Sequence, residues 1–169
     1  IWTNCQESIM IKKILAVSAL CLIIAPAQAA DTYGYLAVWQ NPQDENDVLQ
    51  IKTTKEDSTQ NESLAELEAF CKGQDTLAGI GEDQATGCRS VVPLKNTCVA
   101  LAYPKAEGGV RIGNAVVITS PRFTSVHQIA LNQCIKKYGA QGQCSLETVY
   151  CTSSAYYGGT VSSLIQHLK

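Results

Sequence analysis

The chain has 169 residues, 13 Lys and Arg against 15 Asp and Glu, a net charge of −2, 46% hydrophobic residues and eight cysteines. This length suits one domain built on a single core. The near-neutral charge, without a dense basic patch interleaved with aromatics, argues against nucleic acid as a partner.

In chain order, residues 1–9 precede the single Met10 and read as an upstream extension. Residues 10–29 have the order of a secretory signal peptide: Ile11-Lys12-Lys13, an apolar run from Ile14 to Ile24, and the exit Ala27-Gln28-Ala29. The run is shorter than the ~20 residues of a membrane span. The expectation is export to the periplasm or the medium, with no stable membrane anchor after cleavage. Residues 30–169 are then a single disulfide-rich α+β domain. Cys5 and Cys21 leave with the leader, and an even set remains: Cys71, Cys88, Cys98, Cys134, Cys144 and Cys151. An even count fits an oxidising compartment.

Tyr33 to Trp39 reads as a first strand and Val48 to Thr53 as a second, separated by a polar, acidic stretch containing Pro42. Thr54 to Asn61 reads as an exposed loop. Ser63-Leu64-Ala65-Glu66 has the form of a capping box. Leu64, Leu67 and Cys71 follow at helical spacing, and Gly73 is placed to stop the helix. Cys88 opens a strand that Pro93 confines to an edge or a bulge. Another strand runs from Cys98 to Tyr103. The order then returns: a strand from Val110 to Thr119, a helix capped by Thr124 or Ser125 with the stripe Val126, Ile129, Ala130 and Cys134, a Gly-rich loop, and a strand from Cys144 to Cys151. Val161 to Leu168 reads as a short helix. Each half is therefore strand, strand, helix, strand, which predicts an antiparallel sheet with two helices.

The repeat suggests the disulfides. Cys71 and Cys134 end helices, and each precedes a cysteine that starts a strand. Bridges Cys71–Cys88 and Cys134–Cys144 would pin each helix to the sheet. Cys98 and Cys151 remain, read as strand ends whose bridge ties the two halves together.

These residues resemble the small exported bacterial proteins grouped as domain of unknown function 4189. The likeness rests on Tyr33-Gly34-Tyr35-Leu36-Ala37, Cys88-Arg89-Ser90-Val91-Val92, Asn96-Thr97-Cys98-Val99-Ala100-Leu101-Ala102, the helix with Ala130 and Cys134, and the run from Cys144 to Cys151. It implies the fold and the export, and leaves the activity open.

Catalytic signatures are missing from the sequence. His127 stands far in sequence from any motif-like acid and reads as a structural or surface residue. No Gly-x-Ser-x-Gly elbow or close-spaced ligand pair occurs, so neither a metal nor a cofactor is expected. Gly79-Ile80-Gly81 lacks the rest of a phosphate loop. Acids outnumber bases from Asp31 to Ala100, and bases outnumber acids afterwards. The expectation is an exported bacterial envelope binding protein, an inhibitor or immunity-type protein acting on a cell-wall hydrolase or toxin. Its candidate binding loop carries Asp44, Glu45, Asp47, Glu56, Asp57 and Glu62 and would face a basic protein partner. The alternatives are an envelope enzyme with a dispersed active site and a structural envelope protein.

Overall fold

The structure is a computed structural model and describes residues 30–44 and 49–157. The leader at 10–29, the extension at 1–9, Glu45, Asp47, Val48 and the run from Val161 to Leu168 lie outside the described residues. Strand β1 (Tyr33–Trp39) is the centre of a three-stranded antiparallel sheet, flanked by β2 (Gln50–Thr53) and β3 (Cys88–Lys95). Strand β4 (Cys98–Pro104) is the centre of a second, flanked by β5 (Val116–Ser120) and β6 (Cys144–Cys151). Helix α1 (Gln60–Leu77) joins β2 to β3, and helix α2 (Phe123–Tyr138) joins β5 to β6. The strand, strand, helix, strand order thus occurs twice, each time with its first strand in the middle. The α+β, disulfide-stapled fold is present, with its strands divided between two sheets.

Alternation along the central strands explains the layering. From β4, Cys98, Ala100 and Ala102 point to α2 and join Phe123, Val126, Ala130 and Cys134 in one core. Val99 and Leu101 point the other way and meet Leu36, Leu94 and Tyr150 in a second core between the sheets. Strand β4, covered on both faces, reads as an unbroken apolar run, as such strands do. Gly34 is required where it stands, because a Cβ there would collide with the Tyr150 ring. Helix α1 lies on the outer face of the first sheet, giving the order α1, sheet, sheet, α2.

The helix boundaries differ from expectation for identifiable reasons. Helix α1 starts one turn earlier, because Thr59, not Ser63, is its N-cap. Thr59 Oγ1 accepts from the Glu62 amide, and the Glu62 carboxylate accepts from the Thr59 amide at 2.8 Å. Tyr33 and Ser58 form an isolated β-bridge that holds the chain extended up to that cap. Ser63 is buried, and Glu66 reaches back to β2 instead. Gly73 does not stop the helix, which continues to Leu77, where Asp75 fastens its last turn. Helix α2 has Arg122 as N-cap without a side-chain cap; the Ser125 hydroxyl donates to the Arg122 carbonyl instead. The strand expected from Val110 begins only at Val116, since the Asn114 side chain bonds Arg111 N and Gly109 O in a turn.

The disulfides join Cys71 to Cys88, Cys134 to Cys144 and Cys98 to Cys151, the pairs the repeat suggests. The role expected for the third is corrected. Cys98 starts β4 rather than ending a strand, and it stands directly opposite Cys151 on the neighbouring β6. This bridge therefore lies within the second sheet and does not link the halves. The halves are held by the apolar core between the sheets and by a polar seam. There Thr97 N donates to Thr152 Oγ1, Thr152 N to Thr97 O, and Asp57 N to Thr152 O.

Candidate functional site

The acids of the candidate loop divide between opposite ends of the first sheet, because β2 runs between them. Asp44 lies at the end where β1 finishes and β3 begins. Glu56, Asp57 and Glu62 lie at the other, where β1 begins and α1 starts.

At the second end the acids are engaged within the fold. Asp57, with φ of 55°, accepts from Ser153 Oγ at 2.6 Å and from Ser154. Those hydroxyls hold its carboxyl below the ordinary aspartate value. Glu62 belongs to the cap. Glu66 accepts from Lys55 N at 2.6 Å and pairs with Lys52 Nζ at 3.0 Å. Burial alone would raise the Glu66 carboxyl, but these donors outweigh it and keep it low. A cleft of about 460 Å³ opens here, lined by Lys52, Thr54, Lys55, Glu56, Glu66 and Tyr150 among others. Tyr150 Oη donates to Lys55 O at 3.3 Å and meets Thr54 Oγ1 at 3.4 Å. Burial raises its pKa. Burial also pushes the Tyr157 hydroxyl well up, with Glu56 adding to the rise.

The first end is built differently. Trp39 Nε1 donates to Asp75 Oδ1 at 2.7 Å, and Gly87 N donates to the same oxygen at 2.9 Å. Burial would raise Asp75, yet bonds from Thr86, Trp39 and Gly87 hold it low. Gly87 is the residue that fits, because a Cβ would meet the Trp39 indole and the Gln40 carbonyl. Gln40 N donates to Gly87 O at 2.8 Å. This node joins the chain leaving β1 at Gln40 to the connection 78–87 before β3. Asp44 is set on a turn in which its amide bonds Asn41 O. Asp44, Glu82 and Asp83 are all exposed. Neither segment contains Lys or Arg, although Lys72 and Arg89 border them. Glu82 and Asp83 are not among the acids expected from sequence; with β1 central, their loop leaves the same end of the sheet as the chain bearing Asp44.

His127 packs its ring 6.1 Å from Phe123, and its Nδ1 is buried without a hydrogen-bond partner. Among the described residues, no group of three or more His, Cys, Asp or Glu is placed to hold a metal ion. Among the same residues, no helix is long and apolar enough to cross a membrane.

Fold and site together define a disulfide-stapled α+β domain with two stacked antiparallel sheets and an acidic end. The profile of the family described as domain of unknown function (DUF4189) matches residues 33–151, and the chain belongs to that family. No curated protein and no solved structure matches it.

Proposed function

We propose that the protein is an exported bacterial envelope binding module that engages a basic protein, of the cell-wall hydrolase or toxin kind, through the acidic end of its first half. One observation carries this reading. The Trp39–Asp75–Gly87 node and the Gln40–Gly87 bond draw two loops to one end, with Asp44 exposed on one and Glu82 and Asp83 exposed on the other. Glu45 and Asp47 follow Asp44 in sequence and add to the same charge. Loops on a rigid scaffold are common binding surfaces, and one sign of charge steers an oppositely charged partner. The disulfides fit the oxidising compartment that export implies.

The test begins with affinity capture from periplasmic and extracellular fractions, followed by association rates with the captured protein. Neutralising Asp44, Glu45, Asp47, Glu82 and Asp83 to Asn or Gln should slow association about tenfold at low salt and flatten its salt dependence. Equal rates at low salt would remove the acidic end from consideration.

A further inference from the structure

The end of the second sheet away from the Thr97–Thr152 seam gathers cations. Strand β4 finishes there at Pro104, opposite Cys144 at the start of β6, and β5 starts there at Val116, opposite Ala102. Lys105 follows β4 at once, and its amide bonds the Gln143 carbonyl. Arg111 stands in the turn before β5, and its guanidinium donates to the Glu107 carbonyl at 2.6 Å. Helix α2 ends against the same turn. Lys137 Nζ donates to Gly113 O at 3.5 Å, and Tyr138 Oη to Asn114 O at 3.4 Å. Lys105, Arg111, Lys136 and Lys137 are exposed, and Glu107 is the one acid in the segments 105–115 and 136–143. Two isoleucines stand exposed among these cations. Ile112, on the turn, is 43% exposed, and Ile135, in the last turn of α2, is 47% exposed. Among the described residues only Leu77, in the first half, is a more exposed large aliphatic side chain. Ile135 shares its side of α2 with Tyr138, three residues on, whose hydroxyl touches the turn that bears Ile112. A Cβ at Gly108, Gly109 or Gly113 would meet nothing within 4 Å, so this segment stands clear of the rest of the fold.

We propose that this end docks reversibly on an anionic lipid surface, with Ile112 and Ile135 entering the interface and the four cations facing headgroup phosphates. Exposed apolar side chains rimmed by polar ones mark interaction surfaces. The cations alone would serve any polyanion, but a soluble polyanion offers the isoleucines nothing. A lipid interface takes both, apolar atoms at the acyl boundary and Lys or Arg at the anionic headgroups. The same surface repels the acids exposed in the first half, so attraction is confined to this end. Docking of this kind is weakened by salt and requires no membrane-spanning segment.

Co-sedimentation with lipid vesicles tests the docking, using the protein purified from the periplasmic or extracellular fraction. It should bind vesicles containing phosphatidylglycerol at low salt, bind phosphatidylcholine vesicles far less, and be released as salt rises. K136Q/K137Q should weaken the binding about thirtyfold, and I112S/I135S about tenfold. R122Q, at the opposite end of α2, and L77S, in the first half, should leave it unchanged. Failure to bind phosphatidylglycerol vesicles overturns the proposal, as does an equal loss in R122Q and K136Q/K137Q. Unchanged binding in I112S/I135S also overturns it and leaves the cations to a soluble polyanion. A dimer that K136Q/K137Q dissolves, without vesicle binding, would give this end to the acids of a second copy instead.

Discussion

Helix α2 buries Phe123, Val126, Ala130 and Cys134 and rests on all three strands of its sheet, whereas α1 buries only Ser63 and rests mainly on β1. What α1 lacks in apolar contact it replaces with polar fastenings. These are the Thr59–Glu62 cap, the Glu66 bonds to Lys52 and Lys55, and the Asp75 bonds to Trp39 and Gly87. One order of elements is thus stabilised by two kinds of physics. The acidic composition of the first half follows in part, since Asp57, Glu62, Glu66 and Asp75 all serve the fold. The acids that remain exposed at the far end stand out against that background.

The largest expected effect comes from a bridge confined to the second half. Cys98–Cys151 closes a separation of 53 residues, against 17 for Cys71–Cys88 and 10 for Cys134–Cys144. Loop-closure entropy assigns about 4 kcal/mol to the longest and about 3 kcal/mol to each of the others. Urea unfolding of the paired Cys→Ala variants should rank them in that order. Next comes the contrast between helices. Phe123→Ala should cost about 3 kcal/mol and Leu64→Ala less than about 1 kcal/mol; equal costs would show that α1 is packed as α2 is. Removing the cap by Thr59→Ala should cost about 1 kcal/mol, with the loss of exchange protection confined to α1.

Acid should act on the first half before the second, because the depressed carboxyls that clasp α1 lie there. The folded Asp75 carboxyl is held below its ordinary 3.8. Its contribution is therefore fully present above that value and is lost as pH falls through the depressed one. Asp57 and Glu66 shift in the same direction. Exchange measured during acidification should show the first half loosening before the second, and Asp75→Asn should blunt that pH dependence. Simultaneous loosening would mean that the polar clasp is not what holds α1.

Much of this was legible in sequence because it is local. The helices, the strand runs and the cysteines that open β3 and β6 each sit within a few residues of their cause, whereas Cys71 and Cys134 lie inside helices that run on to Leu77 and Tyr138. The repeat made the disulfide pairs legible too. What escaped depends on tertiary partners. Two Ser/Thr-x-x-Glu boxes, at Thr59 and Ser63, compete for the start of α1, and the choice lies with a bridge from Ser58 to the distant Tyr33. Gly73 failed as a stop because Asp75 is fastened to Trp39 and Gly87 from other elements. The acids expected on one loop were parted by β2, and the loop carrying Glu82 and Asp83 came to the same end of the sheet as Asp44 only once β1 was central.

Thr32, Asn96, Thr97 and Thr152 meet in one seam, so the entrance to β1, the turn from β3 to β4 and the exit from β6 come to a single place. The entrance to β1 and the exit from β6 are thereby neighbours, so a cut at the exposed Gly108-Gly109 turn, beyond the far end of β4, should leave both sheets and all three bridges in register.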